Sequence, residues 1–448
     1  MRGFLKWLYP GMKFKRWLVL FAFGVVALCT GITILFNYKY IGNLEEAIFR
    51  TVYLWTGSYD YMINMLFGSI TAGGGLCLML VAVRQMIRSI IGVLLPEGSE
   101  RLVDRIFAER RLSRGANVAV IGGGTGLSVL LRGIKNVTKN VTAIVTVADD
   151  GGSSGRLRED FGILPPGDLR NCLVALAETE PLMEKLFQHR FGGQGDLAGH
   201  SFGNLFIAAM TDVVGGNMED ALQASKKILA VRGQVVPAAN TPIKLHAKLA
   251  DGRTVAGESQ IPLAGSPIER VWIEPSDTRP VQSALAAIEE ADVIFLGPGS
   301  LYTSIMPNLL IGGMADALRK SKATKVYICN VMTQPGETEG YTVSTHVKAI
   351  IDHVGEGLID YVVVNASRIA PEVCEVYARQ GAEPVMVDKE MTEKFGVHVI
   401  EADLISEANL ARHDPDKLTQ TISQMLDEYR LHKDIGTWDK LLEDAKRN

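Results

Sequence analysis

The stretch VAVIGGGTGLSVLLRG, residues 118–133, decides the fold class of this chain. A short, mostly β-branched run, Val118–Ile121, leads into a turn of glycines, and apolar residues at helical spacing follow from residue 127 to residue 131. This pattern predicts a strand, a glycine turn and a helix in direct succession. Glycine lets the backbone approach a ligand closely, and the first N–H groups of a helix are free to bind an anion.

Later segments repeat this succession of a buried strand, a short turn and a helix. The predicted strands are Val141–Val147, Val293–Leu296, Val326–Cys329 and Tyr361–Val364, and helices are expected over residues 280–291, 308–320 and 416–432. Strands that alternate with helices in this way predict a Rossmann-like, doubly wound and mostly parallel α/β sheet. Residues 242–260 instead alternate apolar and polar side chains around Asp251-Gly252, which predicts a small β-hairpin insertion.

Small, polar or acidic residues follow each predicted strand at its carboxyl end. They are Gly122–Gly126, Asp149-Asp150, Gly297–Ser300, Asn330 and Asn365. Ligands of parallel sheets bind in the crevice beyond these ends. A single turn of this kind is explained by the turn chemistry of glycine and asparagine alone, but five in succession favour a ligand site.

The second strand end leads into the loop GGSSGRLR, residues 151–158. Its hydroxyl groups, such as that of Ser153, and its two arginines suit a phosphate group. The preceding Asp149 and Asp150 are available for a metal ion such as Mg²⁺, for a ribose or for a sugar hydroxyl. The alternative is a solvated loop without a ligand. A nicotinamide cofactor is disfavoured, because bulky residues stand where the third glycine of G-x-G-x-x-G is needed.

Two further polar residues have competing interpretations. Asp168 follows Pro165-Pro166-Gly167 and is a natural N-cap for the next helix, with a ligand contact as the alternative. His200, in the turn GHSFGN of residues 199–204, is either a base or a structural hydrogen-bonding residue. No nucleophile elbow or Ser–His–Asp order is recognisable, so nucleophilic catalysis has little support.

Two long uncharged segments, residues 17–36 and 61–83, precede the α/β pattern. At a rise of about 1.5 Å per residue, each is long enough to cross a bilayer as a helix. A signal peptide would have a shorter apolar part and no second span. We therefore predict a membrane hairpin over residues 1–96, an amphipathic linker over 97–115 and the α/β domain over 116–448.

Charged residues around these segments predict their orientation. Residues 1–16 hold five basic residues and no acid, and seven arginines lie between the second span and residue 114. The loop between the spans carries two basic residues and three acids. The positive-inside rule therefore predicts a protein of the cell membrane with both termini in the cytoplasm and a short external loop.

Composition excludes several classes of protein. A formal net charge of −4 argues against nucleic acid as the main partner. With 47% hydrophobic and 21% charged residues, the chain can fill a sizeable core. The five cysteines include no CxxC pair, which indicates reduced thiols rather than a disulfide framework or a zinc site.

Six motifs of the α/β region resemble those of the YvcK-type gluconeogenesis factor family, which is related to the 2-phospho-L-lactate transferase (CofD) family. The motifs are VIGGGTGLSVLLRG, TVADDGGSSGRLR, LPPGDLRNCLVAL, GHSFGNL, LGPGSLYTSIMPNLL and NVMTQPGETEGY. They occur in one order within residues 117–430. The typical member begins near Val118, so the predicted membrane hairpin is a departure, and cytosolic localisation does not carry over unchanged.

The resemblance implies a Rossmann-like fold, binding of UDP-N-acetylglucosamine, and a role in cell shape and envelope synthesis during growth on gluconeogenic carbon sources. In the transferase relatives the equivalent acidic pair lies in the active site with a divalent metal. By resemblance the site includes Gly123, Gly124, Thr125, Asp149, Asp150, Asn204, Gly299, Ser300 and, from the segment RHDP, Arg412. The strand-end and loop patterns add Gly126, Ser153 and Asn330.

Two functions remain open from the sequence. The first is a regulator that senses UDP-N-acetylglucosamine near the membrane. The second is a transferase that uses a nucleotide-activated phospho-acid and a divalent metal, with Asp149 and Asp150 as candidate catalytic residues and metal ligands. We favour the regulator, because no feature specific to a deazaflavin substrate is identifiable. A homodimer and envelope-synthesis proteins stay open as partners.

Overall fold

The computed structural model describes residues 14–36, 46, 50, 51, 53–55, 57, 61–94, 112–178, 181–405 and 413–433. The chain divides into two compact units, Met1–Glu109 and Arg110–Asn448. The predicted linker helix falls mostly on residues 101–111, which lie outside the described residues. Each unit is described by itself below.

The first unit is built around two long helices, α1 (Phe14–Phe36) and α2 (Tyr61–Leu94). Segments Trp17–Ile34 and Met65–Ile87 are long and apolar enough to cross a membrane. Hydroxyl side chains inside the helices donate to carbonyl oxygens one turn earlier, as Thr30 does to Val26. Such bonds pair the hydroxyl hydrogens of Thr30, Thr33, Ser69 and Thr71, which an apolar surrounding would otherwise leave without a partner.

Glycines let α1 and α2 approach each other closely. A Cβ atom placed on Gly24 would lie 2.6 Å from the Met79 Cγ, and one on Gly75 would lie 2.5 Å from the backbone nitrogen of Leu28. Real Cβ atoms need more space than this. Small residues at such contacts are typical of helix pairs in membranes, where close van der Waals packing drives association.

Replacing Gly75 by leucine should separate the two helices, because the new side chain would meet the α1 backbone. Gly73 has open space around its Cβ position, so Gly73→Leu is a matched control on the same helix. Overpacking costs about 1–3 kcal/mol. We expect hydrogen–deuterium exchange of the full-length protein in detergent to rise in both helices for Gly75→Leu and to stay at the wild-type level for Gly73→Leu. Equal exchange in the two variants would contradict this packing.

The second unit is organised by a seven-stranded sheet in which all neighbouring strands are parallel, as the alternation of strands and helices predicts. Its order is β10-β9-β8-β7-β1-β2-β3. The strands are β1 (Val118–Gly122), β2 (Val141–Val145), β3 (Gln234–Pro237), β7 (Val293–Leu296), β8 (Thr324–Ile328), β9 (Tyr361–Asn365) and β10 (His398–Ala402). From β1 the chain winds one way through β2 and β3, and later the other way from β7 to β10. The topological switch point therefore lies between β1 and β7.

Helices pack against this sheet and complete one continuous hydrophobic core. They are α3 (Gly124–Ile134), α4 (Gly152–Phe161), α5 (Pro166–Leu176), α6 (Pro181–Gln188), α7 (Phe202–Val213), α8 (Met218–Ile228), α9 (Gln282–Glu290), α10 (Met306–Leu309), α11 (Met314–Lys320), α12 (Val343–Val354), α13 (Pro371–Ala378), α14 (Lys389–Glu393) and α15 (Pro415–Lys433). A π-helix, Leu301–Ile305, leads directly into α10. The single helix expected over residues 308–320 is wrong, because the chain turns at Gly313 in a left-handed conformation with φ of 97°.

The predicted hairpin insertion is present, but it is part of a larger element. Strands β4 (Lys244–Leu249) and β5 (Thr254–Ala256) are joined by a third antiparallel strand, β6 (Ile268–Glu274), in the order β5-β4-β6. His353 on α12 fastens this small sheet to the main body. Its Nε2 accepts the N–H of Val271 at 3.0 Å, and its Nδ1 donates to the Ala349 carbonyl oxygen at 2.7 Å.

The second unit uses residues ahead of the predicted start at Ala116. Leu112 is buried, and its carbonyl oxygen accepts the N–H groups of Gly115 and Lys139 at 3.0 Å each. We expect a fragment that begins at Arg110 to fold without the hairpin and to melt a few degrees above one that begins at Ala116. Burial of a leucine side chain contributes about 1.5–3 kcal/mol. Thermal unfolding of both fragments is the measurement, and equal melting temperatures would show that residues 110–115 are dispensable.

Candidate functional site

Two glycine-rich loops meet at the switch point, one after β1 and one after β7. A Cβ atom on Gly126 would lie 2.7 Å from the Pro298 carbonyl oxygen, and one on Gly299 would lie 3.3 Å from the carbonyl oxygen of Gly123. Gly124 has a φ of 67°, which favours glycine. The backbones of the two loops are therefore in direct contact, and side chains at these positions would force them apart.

A carboxylate from another part of the chain binds the N-terminus of α3. Asp168 Oδ2 accepts the N–H of Gly124 at 2.7 Å, and the side chain is 8% exposed. Burial raises the pKa of Asp168 to about 6, against the lowering effect of the Gly124 hydrogen bond. The expectation that Asp168 caps its own helix is wrong, because α5 begins at Pro166 and Asp168 lies inside its first turn.

A second carboxylate occupies the start of the π-helix after β7. Glu337 Oε2 accepts the N–H of Tyr302 at 3.2 Å, and its Oε1 accepts the Thr303 hydroxyl at 3.0 Å. Burial raises the pKa of Glu337 to about 7. The sequence analysis did not predict Glu337 as a site residue, although it lies in the motif NVMTQPGETEGY. The neighbouring sequence does not show which helix a distant loop will contact.

At the N-terminus of α4 a carboxylate reaches only the N-cap residue, since Asp149 Oδ1 accepts the N–H of Gly151 at 2.9 Å. Its N-cap residue is Gly151, which has no side chain to accept a hydrogen bond. Gly152, Ser153 and Ser154 begin the helix, and the first N–H groups of a helix have no partner within it. The open end of α4 lies at the carboxyl end of β2, where an anion would complete these hydrogen bonds.

Two arginines of α4 are held by backbone carbonyl groups rather than by acids. Arg156 donates to the Ala198 carbonyl oxygen at 2.7 Å, and Arg158 donates to that of Ile243 at 3.0 Å. Within the described part of the chain, neither arginine forms an ion pair with a carboxylate. Their positive charges are therefore available to an anionic ligand.

Three buried polar side chains form a hydrogen-bonded group beside this helix end. Ser153 Oγ lies 3.0 Å from His200 Nδ1, and the Asn204 amide nitrogen donates to Ser153 Oγ at 3.0 Å. All three side chains are at most 5% exposed. His200 is therefore a buried hydrogen-bonding residue, in agreement with one of its two interpretations, and it contacts the predicted residue Ser153.

The acidic pair at the end of β2 points in two directions. Asp149 Oδ1 accepts the N–H of Gly151 at 2.9 Å, whereas Asp150 Oδ1 accepts the N–H of Ser259 at 2.9 Å. Ser259 belongs to the turn after β5, and a Cβ atom on Gly257 in the same turn would lie 2.5 Å from Asp150 Oδ2. Asp150 therefore helps to fasten the small sheet at the edge of the site.

The turn after β5 also places a carboxylic acid, Glu258, at the site, which the sequence analysis did not predict. Glu258 Oε2 is enclosed and has no hydrogen-bond partner. Burial raises the pKa of Glu258 well above its ordinary value, and the charges of Asp168, Asp149, Asp150 and Glu337 raise it further. The site is thus strongly acidic on this side. No group of three or more potential metal ligands occurs among the residues that the structure describes.

Comparison with known proteins places this geometry in a family. The family model described as 2-phospho-L-lactate transferase CofD matches residues 118–405. This chain belongs to the CofD family. A gluconeogenesis factor from Bacillus subtilis is 51% identical over 312 residues, which cover 69% of this chain and 98% of that protein. A relative from Nostoc sp. is 47% identical over 421 residues, which cover 93% of this chain and 91% of that protein.

A solved structure supports the fold of this CofD family member. The crystal structure of a UPF0052 family protein from Bacillus halodurans has 53% sequence identity and a TM-score of 0.67, and it covers 68% of this chain and 99% of that chain. The Bacillus matches have about the length of the α/β unit. The Nostoc alignment is longer than this unit, so it extends into the residues before Arg110.

The remaining predicted residues of the CofD domain differ in their surroundings. Ser300 and Asn330 are joined through Gln334, whose amide donates to Ser300 Oγ at 2.7 Å and accepts from the Asn330 amide at 3.0 Å. Thr125 is exposed at the start of α3. Asn365 instead bonds with structural loops, since its amide nitrogen donates to the Ser367 carbonyl oxygen at 2.8 Å and its Oδ1 accepts the N–H of Leu404, after β10, at 3.2 Å. Arg412 lies outside the described residues and stays a prediction.

Asp168→Asn should stabilise the CofD domain at neutral pH. The raised pKa means that the folded state holds this proton more tightly than the unfolded state. Asp168 therefore destabilises the fold as pH rises from about 4 to about 6, by up to about 3 kcal/mol. Asparagine keeps an acceptor for Gly124 without the buried charge. Urea unfolding of the Arg110 fragment at pH 7.5 and pH 5 is the measurement.

Asp316→Asn, at an exposed carboxylate on α11, is the control and should change little at either pH. A destabilised Asp168→Asn protein at pH 7.5 would show that the charge of Asp168 is compensated by a cation or by the ligand.

Proposed function

We propose that this protein is a membrane-anchored regulator that binds a UDP-sugar, UDP-N-acetylglucosamine, at the carboxyl edge of its parallel sheet. The nucleotide would lie across the switch point, and its pyrophosphate would bind the N-terminus of α4. The name of the Bacillus subtilis relative, gluconeogenesis factor, supports a role in gluconeogenic growth, and the resemblance stated above supports the choice of ligand and a role in cell shape.

The open N-terminus of α4 carries this proposal. Asp168 and Glu337 already accept N–H groups at the starts of α3 and of the π-helix, and Asp149 accepts only that of the N-cap residue of α4. Among the described residues, the next N–H groups of α4 have no partner, and neither Arg156 nor Arg158 forms an ion pair. A pyrophosphate is the part of a nucleotide-sugar that such an end binds best, because the helix dipole also favours negative charge there.

Magnesium fits the residues on the acidic side of the site. A pyrophosphate next to the carboxylates of Asp149 and Asp150 would be repelled unless a cation intervened. Mg²⁺ is usually held by one or two carboxylates together with ligand phosphates and water, which agrees with a site that lacks three protein ligands among the described residues. When bound, the ion would neutralise the phosphate charge, with Asp149 as the better candidate because Asp150 also holds the small sheet.

Membrane anchoring rests on α1 and α2, with the cytoplasmic orientation that the flanking basic residues predict. In this arrangement the α/β unit faces the cytoplasm, where nucleotide-sugars are made and consumed for envelope synthesis. The hairpin would keep the sensor close to the membrane enzymes that use its ligand.

The CofD family match favours a second candidate, a transferase that uses a nucleotide-activated phospho-acid and Mg²⁺. The two functions differ in nucleotide and in turnover. Calorimetric titration of the full-length protein in detergent with UDP-N-acetylglucosamine and with GDP, each with and without Mg²⁺, separates them. We expect binding of the UDP-sugar without turnover. A preference for GDP, or breakdown of a GDP-linked phospho-acid, would overturn the regulator in favour of the transferase.

Arg412→Ala should weaken binding of UDP-N-acetylglucosamine about ten- to a hundredfold, because a charge-assisted hydrogen bond to phosphate contributes about 1.5–3 kcal/mol. Arg412→Lys should recover only part of this affinity, because the planar guanidinium is lost. Arg379→Ala, at an exposed arginine on the surface of α13, is a matched control. Wild-type affinity in Arg412→Ala would remove this residue from the site.

A further inference from the structure

Ser304, which the sequence analysis did not predict as a site residue, lies where the two glycine-rich loops of the switch point meet. A Cβ atom on Gly124 would lie 3.5 Å from Ser304 Oγ, and one on Gly299 would lie 3.8 Å from the same oxygen. The residue is only 5% exposed. The hydroxyl group of Ser304 is therefore fixed beside both loops at the point where ligands of doubly wound sheets bind.

The backbone of Ser304 is fully bonded, but its hydroxyl group is not. Its N–H donates to the Ser300 carbonyl oxygen at 3.0 Å, and its carbonyl oxygen accepts the Asn308 amide at 2.8 Å. Hydroxyl groups elsewhere in the helices of this unit, such as that of Ser225, donate to a carbonyl oxygen one turn earlier. Among the described residues, Ser304 Oγ has no hydrogen-bond partner of any kind. Buried polar groups are nearly always paired, so this hydroxyl group points to a partner from outside the chain.

The π-helix that contains Ser304 holds this side chain in place. The Ser300 carbonyl oxygen also accepts the N–H of Ile305, five residues later, at 3.0 Å, which forms the wide turn. The buried Asn308 amide donates to the Gly122 carbonyl oxygen at 3.3 Å and so ties the π-helix to the end of β1. π-Helices are rare, and they are frequent at functional sites. The direction of the hydroxyl group is therefore set by the fold and needs no ligand.

Asp168 limits which chemical group can bind beside Ser304. Its Oδ2 accepts the N–H of Gly124 at 2.7 Å, on the glycine whose Cβ position lies closest to the Ser304 hydroxyl group. Because the pKa of Asp168 is about 6, this carboxyl group is mostly ionised at neutral pH and repels a phosphate. A hydroxyl group of a ligand suits the position, because serine can both donate to it and accept from it.

We propose that Ser304 forms a hydrogen bond with a sugar hydroxyl group of the ligand at the switch point, while the phosphate groups bind at α4. The inference rests on the proposed function, since it assigns a second part of the same ligand. A UDP-sugar carries such hydroxyl groups on its ribose and on its hexosamine. The two have the same chemistry towards serine, and the experiment distinguishes them.

The affinities of four probes for the full-length protein in detergent test this assignment. They are inorganic pyrophosphate, UDP, GDP and UDP-N-acetylglucosamine, each titrated calorimetrically. Ser304→Ala should weaken UDP-N-acetylglucosamine about three- to tenfold, which is the contribution of one uncharged hydrogen bond, and leave pyrophosphate unchanged. An equal loss for UDP assigns the ribose hydroxyl group, and wild-type affinity for UDP assigns the hexosamine. An equal loss for pyrophosphate would overturn the sugar contact.

Ser128→Ala is the matched control for these titrations. Ser128 lies on α3 and is also 5% exposed, but its Oγ is enclosed and has no hydrogen-bond partner. It should bind all four probes like the wild type. A loss in Ser128→Ala as large as that in Ser304→Ala would overturn the proposal, because removal of any buried hydroxyl group would then have the same effect.

Two further measurements separate a ligand contact from a structural role. Without ligand, Ser304→Ala should melt at or above the wild-type temperature, because a buried hydroxyl group without a partner is destabilising. A clear loss of melting temperature would overturn the proposal. In Ser304→Cys, alkylation of the introduced thiol, followed by mass spectrometry of its peptide, should be slowed by UDP-N-acetylglucosamine. A rate that the ligand does not change would also overturn the contact, and this result decides the question if Ser304→Ala fails to fold.

The outcomes distinguish this inference from the function on which it rests. Wild-type affinity of Ser304→Ala for UDP-N-acetylglucosamine would overturn the Ser304 contact and leave the proposed function standing. Binding of GDP that depends on Ser304, in a protein that binds no UDP-sugar, would overturn the proposed function and leave the sugar contact standing. Binding of none of the nucleotides by the wild-type protein would overturn both.

Discussion

The close approach of two backbones at the switch point is the constraint on which the rest of this site depends. The loops after β1 and β7 touch without intervening side chains, since a Cβ atom placed on Gly126 would lie 2.7 Å from the Pro298 carbonyl oxygen. Because neighbouring parallel strands fix these two loops side by side, the helices that follow must both start at the same edge of the sheet. Several helix N-termini therefore lie at this edge of the sheet. Because each N-terminus carries a partial positive charge, the edge favours negatively charged groups.

The protein supplies some of these negatively charged groups from its own side chains. Asp168, from the first turn of α5, and Glu337, from the segment before α12, each bond to the first groups of a helix at the switch point, at the cost of burying a carboxylate. Both pKa values are raised into the range near neutrality. These contacts differ between the helices: the glycine loop after β1 is partly satisfied by the protein, whereas the N–H groups of the first turn of α4 have no partner among the described residues.

Charged side chains of both signs surround the start of α4. Arg156 bonds to the loop before α7, and Asp149 bonds to the N-cap residue Gly151. Arg158 and Asp150 bond at Ile243 and Ser259, beside the small antiparallel sheet. Carboxylates can accept hydrogen bonds from hydroxyl groups or hold a cation, and guanidinium groups can bind phosphate, so this edge of the sheet offers both kinds of contact.

Local sequence alone determined the strands, the glycine turns and the two long apolar helices, because these depend on periodicity and on residues close in the chain. It also predicted a ligand site at the strand ends, to which the local pattern and the family motifs assign Ser153, Asn204, Gly299 and Ser300. Tertiary structure alone decided that Asp168 serves α3 rather than α5, that Glu337 and Glu258 reach the site, and that His200 is joined to Ser153. Each of these contacts joins residues at least 34 positions apart in the chain. The residues around a carboxylate or an imidazole in the sequence do not show whether it will contact water or the end of a distant helix.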